Sequence, residues 1–319
     1  MRFVAVFLLA SFASIATAQQ FPNKPIKIVV SYPPGGPADI LARPLAEGLQ
    51  KAWGQSVLVE NKPGANAIIG TDYVAKQPAD GYTLLLANDP SLSSNQYLYS
   101  KLPYDPVKDL MPVVNIATTT LILLTPASLP VNNLRDLLAL AKQKPGELTY
   151  GSIGPGSVTH LDAEAMAAAA GIKLTHVPYK GTGEVVPALL SGQISMALSA
   201  IGPSLPHIKS GKMKALALAQ LQRSALVPDV PTFNESGIAG FEARSWFGLA
   251  APAGVPRAAI DRIAAETKRI VEQAEYREKY ITGMGLDSAV MGPDEFAAYL
   301  EKDRAKYAQR VKAANVRLD

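Results

Sequence analysis

Apolar and polar residues follow one another along the chain in blocks that predict strands and helices in turn. The run at 26–30 is rich in β-branched residues, which is typical of a buried strand, and the prolines and glycines at 33–36 end it. Leu41, Leu45 and Leu49 then recur at the spacing of one helix face. The elements predicted in this part are strands at 26–30, 57–59 and 82–87, and helices at 41–49 and 68–76. This alternation predicts a sheet with helices on its faces.

The middle and the C-terminal part of the chain repeat the pattern. Ser157 is placed to cap a helix that starts near His160, and Gly171 is placed to end it. Pro44 and Pro187 each remove a backbone donor, so each is expected in the first turn of its helix, or at a kink in the case of Pro44. The predicted strands are 121–124, 148–150, 194–199 and 213–219, and the predicted helices are 134–142, 160–170, 185–190, 257–273, 274–280 and 294–314. Two α/β lobes are predicted.

The composition is that of a globular protein with mixed charges. The 319 residues are 48% hydrophobic and 18% charged, which suffices for one large domain or two of ordinary size. The 31 basic and 27 acidic side chains are interspersed, and the net charge of +4 is not gathered into a run that could follow a phosphate backbone. The sequence therefore predicts no nucleic acid partner.

The N-terminus has the pattern of an export signal. Arg2 precedes an apolar stretch at 3–15, and Ala16-Thr17-Ala18 fits the small-x-small rule for cleavage. The stretch is shorter than the roughly 20 residues that a membrane anchor, the alternative interpretation, would need. We therefore expect residues 1–18 to be a signal peptide, cleaved near Ala18 and Gln19, and the mature protein to reside in the periplasm. The chain contains no Cys, which excludes disulfides and a lipid-anchored N-terminal Cys.

Four loops follow predicted strands and have the composition of ligand-binding loops. In open α/β sheets, ligands lie beyond the carboxyl ends of the strands, where helix N-termini direct backbone N–H groups and a positive dipole outward. The loops at 31–39, 150–160 and 178–183 are rich in glycine, proline and hydroxyl groups, and the loop at 88–91 is a weaker fourth. Asp39 either caps its helix or belongs to the site. None of the loops matches a nucleotide-binding motif.

Residues suited to catalysis are few and scattered. The histidines are His160, His176 and His207, without metal-ligand spacing, and no nucleophile motif is present. His160 either donates to a ligand carboxylate or bonds locally to its loop, and His176 is expected to be structural. Lys180 either pairs with a ligand or is solvated. Trp246 and Phe247 either line the ligand crevice or pack in the core, and the core is the expected place. The sequence predicts no catalytic residue, no metal and no cofactor.

Ordered blocks along the whole mature chain resemble one family, the tripartite tricarboxylate transporter receptors, also called the Bordetella uptake gene (Bug) type. The blocks are Ser31-Tyr32-Pro33-Pro34-Gly35-Gly36 with Asp39, Val59-Glu60-Asn61-Lys62-Pro63-Gly64-Ala65, Asp80-Gly81-Tyr82-Thr83-Leu84-Leu85, Tyr104-Asp105-Pro106-Val107-Lys108-Asp109, Pro145-Gly146-Glu147-Leu148-Thr149-Tyr150-Gly151-Ser152, Gly156-Ser157 with His160-Leu161, Val177-Pro178-Tyr179-Lys180-Gly181, Leu190-Ser191-Gly192-Gln193-Ile194, and Trp246-Phe247-Gly248-Leu249 with Ala251-Pro252-Ala253-Gly254. Pro44, and Ser245 where a Gly often stands, depart from the family pattern.

The resemblance implies a type II periplasmic-binding fold, in which two α/β lobes are joined by crossing strands and enclose a ligand cleft. The expected first lobe is 19–122 with 231–319 and the second is 123–230, with crossings near Leu123 and Val230. It also implies a monomeric receptor that captures a small carboxylate, such as a dicarboxylate or tricarboxylate, an acidic amino acid or an aromatic acid, for large and small permease subunits. The expected ligand-binding residues are Tyr32, Pro34, Gly35, Gly36, Asp39, Asn88, Ser91, Ser152, Gly156, Ser157, Thr159, His160, Tyr179, Lys180 and Gly181.

Two alternatives remain open at this point. A secreted hydrolase or isomerase would use Asp39 and His160 as an acid–base pair, but it would lack a nucleophile or metal. A periplasmic sensor accessory would bind the same ligand and pass a signal to a membrane kinase. The sequence does not separate such a sensor from a transport receptor, and it does not identify the ligand.

Overall fold

The computed structural model describes residues 21–318, and the predicted signal peptide lies outside that range. The strands are β1 (Ile26–Val30), β2 (Val57–Asn61), β3 (Thr83–Asn88), β4 (Leu110–Pro126), β5 (Thr149–Ser152), β6 (Thr175–Pro178), β7 (Met196–Ala200), β8 (Met213–Leu218), β9 (Arg244–Pro252) and β10 (Asp287–Met291). The helices are α1 (Pro37–Trp53), α2 (Ile68–Ala75), α3 (Asn95–Leu98), α4 (Leu134–Gln143), α5 (Val158–Ala170), α6 (Thr182–Leu190), α7 (Ile201–Lys209), α8 (Arg257–Val271), α9 (Ala274–Tyr276) and α10 (Pro293–Ala314). Pro90–Ser94 and Arg277–Ile281 form π-helical turns, and Thr282–Met284 forms a 3₁₀ turn.

The strands form two half-sheets with the same internal order. In the first lobe the order is β2-β1-β3-β9-β4, and β10 pairs with the remaining edge of β4. In the second lobe the order is β6-β5-β7-β4-β8. Strand β4 belongs to both, so the predicted two α/β lobes joined by crossing strands are confirmed.

The long strand β4 carries the chain from one lobe to the other. Its residues up to Thr120 pair with β9, where Thr120 lies opposite Arg244, and from Leu121 onward they pair with β7 and β8. The chain returns at Ala243, which hydrogen-bonds Ala219 and Leu121 of the second lobe. The boundaries near Leu123 and Val230 stay predictions, and on this pairing we propose a second lobe of about 121–243.

Each lobe has its own apolar core, and α10 contacts both lobes. The core between the first sheet and α1 and α8 contains Leu41, Leu45 and Ile263 among others. In α10, Phe296 packs in the first lobe beside Trp246, whereas Tyr307 packs into the second-lobe core around α5. Trp246 and Phe247 are buried, as expected for core residues. Because apolar burial is the main stabilising term, α10 ties the lobes together.

Several elements differ from the sequence-based expectations. Pro187 lies inside α6, which begins earlier than predicted, so its expected place in the first turn is wrong. Pro44 also lies inside its helix, and α1 nevertheless continues to Trp53. Strand β4 is far longer than the predicted 121–124, and β6, β9, β10, α3 and α7 were not predicted as elements. Within the described range every helix is too short or too polar to cross a membrane.

Candidate functional site

The strand directions bring the predicted loops to the junction between the lobes. Strands β1 and β3 run parallel to each other and antiparallel to β9, so they point along β4 toward the second lobe. Strands β5 and β7 run antiparallel to the second-lobe half of β4, so they point back toward the first lobe. The carboxyl ends of both sets therefore converge on the junction, where open α/β sheets bind ligands.

The first-lobe loop, residues 31–39, connects β1 to α1. Gly36 is the N-cap of α1, Pro37 follows it without an N–H group, and Pro34 and Gly35 are exposed. Gly35 has a φ of 83°, a left-handed conformation that glycine adopts at little cost. The first helical amides, those of Ala38 and Asp39, have no protein acceptor in the described chain, because Ile40 is the first to bond back, to Gly36.

Asp39 fixes this loop through a closed network rather than by capping the helix. Its carboxylate accepts from the Gly35 amide at 2.9 Å, from Arg43 at 2.9 and 2.8 Å, and from Asn61 Nδ2 at 2.9 Å. Burial alone would raise the pKa of Asp39, but these hydrogen bonds outweigh it and lower the pKa. The expectation that Asp39 could be the N-cap is wrong, since Gly36 holds that position.

Tyr32 joins the first-lobe loop to the loop after β3. Asn88 Nδ2 donates to the Tyr32 hydroxyl at 2.6 Å, and Asn61 Nδ2 donates to the Tyr32 carbonyl at 3.1 Å. Ser91 Oγ accepts from the Asn88 amide at 2.9 Å and donates to the Asn88 carbonyl at 2.7 Å. Burial raises the pKa of Tyr32, so its hydroxyl stays protonated. Tyr32, Asn88 and Ser91 therefore lie together.

The second-lobe loop, residues 150–160, connects β5 to α5 and folds on its own hydroxyl groups. Ser157 is the N-cap, as predicted, with its Oγ 3.3 Å from the His160 amide and donating to the Gly154 carbonyl at 2.6 Å. Thr159 Oγ1 accepts from the Ile153 amide at 3.1 Å. The amides of Val158 and Thr159 have no acceptor among residues 21–318, so this helix start is also open.

Two histidines lie beneath this loop. The Gly156 amide donates to His160 Nδ1 at 2.9 Å, and Gly156 has a left-handed φ of 70°. Ser152 Oγ lies 2.6 Å from His176 Nε2, and the two imidazole rings stack with centroids 4.0 Å apart. Nδ1 of His160 thus makes the local bond that was one of its two expected roles, which leaves only Nε2 to donate.

The third loop, residues 178–183, lies beside the second. The Tyr179 amide donates to the Ser152 carbonyl at 2.9 Å and so extends the β5–β6 pairing. Gly181 is the N-cap of α6, and the amides of Thr182 and Gly183 have no acceptor in the described part of the chain. The Lys180 side chain is exposed.

A contact outside the predicted loops joins the two lobes at this junction. Leu98 of α3 and Leu318 of the C-terminal tail fill the space above Gly156, and the Leu318 amide donates to the Leu98 carbonyl at 2.9 Å. On α10, Arg310 pairs with the buried Asp162 of α5. No local sequence signal indicates these contacts, because Arg310 and Asp162 are 148 positions apart.

Asp89, next to Asn88, is a fully buried carboxylate that sequence reasoning missed. It accepts from Ser245 Oγ, from the Trp246 amide at 3.2 Å and from the Tyr307 hydroxyl at 2.9 Å. Burial, together with the nearby Asp303, raises its pKa. Ser245, which departs from the family pattern, therefore supplies one of the donors that an ionised Asp89 requires.

A surface hollow of 440 Å³ lies elsewhere in the first lobe and contains none of the predicted site residues. Its acidic residues are occupied locally, since Asp105 accepts from the Val107 amide at 2.9 Å and Asp109 accepts from the Asp105 amide at 2.7 Å. The loops at the junction therefore remain the candidate site.

Two lobes of equal strand order, joined by crossing strands with helix N-termini at their junction, define a periplasmic-binding-protein fold of the predicted type II. The family model described as "Tripartite tricarboxylate transporter family receptor" matches residues 41–316, and the chain belongs to that family. The resemblance noted in the sequence is thereby confirmed.

Individual relatives cover nearly the whole chain. The protein BugT of Bordetella pertussis is 33% identical over 317 residues, which are 99% of this chain and 97% of that protein. The structure of Rpa4515 of R. palustris with adipate has a TM-score of 0.84 at 31% identity and covers 93% of this chain and 99% of its own. That of MatC from Rhodopseudomonas palustris, with bound malate, has a TM-score of 0.79 at 29% identity and covers 91% and 100%.

Proposed function

We propose that this chain is an exported receptor that captures a small carboxylate between its two lobes, without transforming it, and delivers it to a tripartite tricarboxylate-type transporter. The proposed ligand-binding residues are those of the junction loops. The proposed cleavage near Ala18 and Gln19 would release a monomeric periplasmic protein, and the proposed partners are the large and small permease subunits. Closure of the two lobes around the ligand would be a hinge movement.

The observation that carries this proposal is a set of open amides at three helix starts around one junction. They are the N–H groups of Ala38 and Asp39, of Val158 and Thr159, and of Thr182 and Gly183. Each pair lies at a positive helix end, where an anion is stabilised. Because the pairs come from both lobes, one small anion between them would be bound only when the lobes approach each other.

The chemistry of the loops favours a carboxylate recognised by backbone groups. Arg43, the guanidinium beside the first-lobe loop, is already bonded to Asp39 and Asn61, so it is not free to clamp a ligand. The adipate and malate bound to the relatives Rpa4515 and MatC support a carboxylate ligand for this chain as well.

The same contacts weigh against the enzyme alternative. An acid–base pair would need lone pairs or protons free to react, but all four hydrogen bonds at Asp39 are internal and Nδ1 of His160 accepts from Gly156. The site therefore supports binding better than turnover.

A ligand panel tests the class of ligand. Calorimetry of the mature protein with adipate, malate, citrate, aspartate and benzoate should give saturable binding to at least one of them. Adipamide, which has the length of adipate but no charge, is the matched control and should not bind. A protein that ignores all five acids and binds glucose would overturn the proposal.

Substitution of one residue tests the open amides. Val158 is the first residue of α5, where proline is well tolerated, and the preceding Ser157 has the extended conformation, with ψ 160°, that a following proline requires. Val158→Pro should therefore remove one N–H group, keep the helix and weaken carboxylate binding about tenfold or more, since a hydrogen bond to a charged group contributes about 1.5–3 kcal/mol. Val158→Ala keeps the N–H group and is the control; equal affinities for the two variants would contradict the role of this amide.

A further inference from the structure

Three aromatic rings are stacked beneath the second-lobe loop. The His160 and His176 rings are nearly parallel, at 9°, with centroids 4.0 Å apart, and the Tyr150 ring lies beside both, 4.9 Å from His176 at 17° and 6.3 Å from His160. His160 comes from α5, His176 from β6 and Tyr150 from β5. The stack thus joins three elements directly below the loop whose amides we propose to bind the ligand.

Each imidazole bonds to the loop itself. His160 Nδ1 accepts from the Gly156 amide at 2.9 Å, which requires that this nitrogen carry no proton. His176 Nε2 lies 2.6 Å from Ser152 Oγ, and that hydroxyl lies 3.1 Å from both the Gly154 amide and the Gly154 carbonyl. His160 therefore holds Gly156 directly, and His176 holds Gly154 through the Ser152 hydroxyl.

The first-lobe loop contains the same arrangement with a different acceptor. There the amide of left-handed Gly35 donates to Asp39, four residues later, and here the amide of left-handed Gly156 donates to His160, also four residues later. The negative charge of Asp39 is neutralised by its ion pair with Arg43, whereas no cation lies at hydrogen-bonding distance from His160 in the described residues. A neutral acceptor at this position holds the glycine without opposing an incoming anion.

The surroundings of the stack keep the imidazoles neutral. Burial, and after it the neighbouring His176, lower the pKa of His160 to about 4. Burial also lowers the pKa of His176, and Glu164, which accepts from the Tyr150 hydroxyl at 2.5 Å, opposes this effect. Further along α5, the buried Asp162 is paired with Arg310 of α10.

We propose that His160 and His176 are positioning residues, a neutral stacked pair that holds the second-lobe loop in its anion-binding shape, and that neither ring is an imidazolium ligand of the anion. This inference rests on the proposed function, because it assumes that the loop binds the ligand. Protonation of His160 would direct an N–H group at the Gly156 amide and release the loop. Carboxylate affinity is therefore constant wherever His160 stays neutral.

Matched variants separate positioning from direct charge recognition. His160→Asn keeps an acceptor where Nδ1 lies, and His160→Leu removes it. Calorimetry with adipate and malate should give His160→Asn an affinity within about threefold of the wild type and His160→Leu one at least about tenfold weaker, the size of one lost hydrogen bond. His207→Asn, on α7 outside the loops, is the control and should change nothing.

A pH series and a titration read out the charge of the rings. Wild-type affinity should be constant from about pH 8 to about pH 6, a range in which the ligand carboxylates stay ionised, and the His160 ring protons, followed by NMR in the ligand-free protein, should not titrate near the ordinary value of about 6.5. Affinity that rises about tenfold on acidification, with His160 titrating near 6.5, would overturn the inference in favour of an imidazolium ligand. The NMR result stands even if His160→Leu does not fold.

Different results would overturn the receptor function and the positioning role of His160. Should the wild type bind no carboxylate at all, the proposed function fails. Should the wild type bind adipate or malate and His160→Leu, correctly folded, bind it equally well, the receptor proposal stands and the positioning role is overturned.

Discussion

The two binding loops are fixed by the same kind of hydrogen bond, but the acceptor is charged in one loop and neutral in the other. In both, a left-handed glycine donates its amide to a side chain in the first turn of the following helix. The first-lobe loop uses the Asp39 carboxylate, balanced by the half-exposed Arg43. The second-lobe loop uses the neutral imidazole of the buried His160, which stacks on His176. The comparison shows that the shape of such a loop can be fixed with or without formal charge, while the next amides of the helix remain open for a ligand.

The helices behind the two loops also differ. Helix α5 of the second lobe is anchored by the buried pair of Asp162 with Arg310 from α10, whereas α1 of the first lobe packs mainly through apolar residues such as Leu41 and Leu45. The second-lobe loop therefore depends on the ion pair that joins α5, the helix behind it, to α10. Variants that remove a charge from one lobe or the other test this difference.

The largest expected effect is that of Arg310→Met. It leaves Asp162 buried without a counter-charge, which costs about 3–5 kcal/mol of unfolding free energy. Arg257→Met is the control, because Arg257 pairs with Asp261 and Asp294 at the exposed surface and its loss should change little. Urea denaturation measures both. An Arg310→Met protein as stable as Arg257→Met would show that α5 is not held by this pair.

Asp39→Asn is expected to have the next largest effect. Four hydrogen bonds converge on the carboxylate, and an Asn would direct its own N–H groups at the donors of Arg43 and Asn61. We therefore expect the free energy of unfolding to fall by about 2–3 kcal/mol. Asp136→Asn on α4 is the matched control, since Asp136 also accepts from the amide four residues earlier but is only half-buried and pairs with no arginine in the described residues. Equal losses in the two variants would mean that the network at Asp39 adds nothing.

The smallest expected effect is that His160 and Asp39 make stability depend on pH in different ranges. His160 has a folded pKa of about 4 and an unfolded value of about 6.5, so the unfolded chain takes up the proton first and stability falls as the pH drops from about 6.5 to about 4. The lowered pKa of Asp39 instead gives stability that is present above about pH 4 and lost below it. Asp89 has the opposite sign, because its raised pKa favours folding as the pH falls, so total stability is not diagnostic.

The diagnostic quantity is the wild-type stability minus that of His160→Asn, measured by urea denaturation at several pH values. The wild type should lose unfolding free energy between about pH 6.5 and about pH 4, and His160→Asn should not. Below that range both proteins should lose the same unfolding free energy as Asp39 becomes protonated. A difference that does not vary with pH would contradict the neutral, buried state of His160.

The loops and their helix starts were predictable because their signals are local. The Pro-Gly run at 33–36, the capping Ser157 and the terminating Gly171 each determine a boundary through their own backbone or side chain. Helix α7 was not predicted because Pro203 and Pro206 lie within it, and prolines indicate a loop or a helix end. Strand β4 was predicted only in part because Pro112 and a run of threonines interrupt its apolar pattern.

The contacts that complete the site could not be predicted in the same way. The stack of His160 on His176, the pair of Asp162 with Arg310 and the donors around Asp89 join residues far apart in the sequence, and only the tertiary fold brings them together. His160 had two possible roles from its position in the sequence, and the bond from the Gly156 amide determines which one its Nδ1 fulfils.

The account depends most directly on one anion being held by amides of both lobes at once. NMR of the ¹⁵N-labelled protein, titrated with the carboxylate that binds in calorimetry, follows each of these amides individually. We expect the signals of Ala38, Asp39, Val158 and Thr159 to shift together and to saturate at one ligand concentration. Shifts confined to a single lobe, or to residues outside these helix starts, would contradict the account.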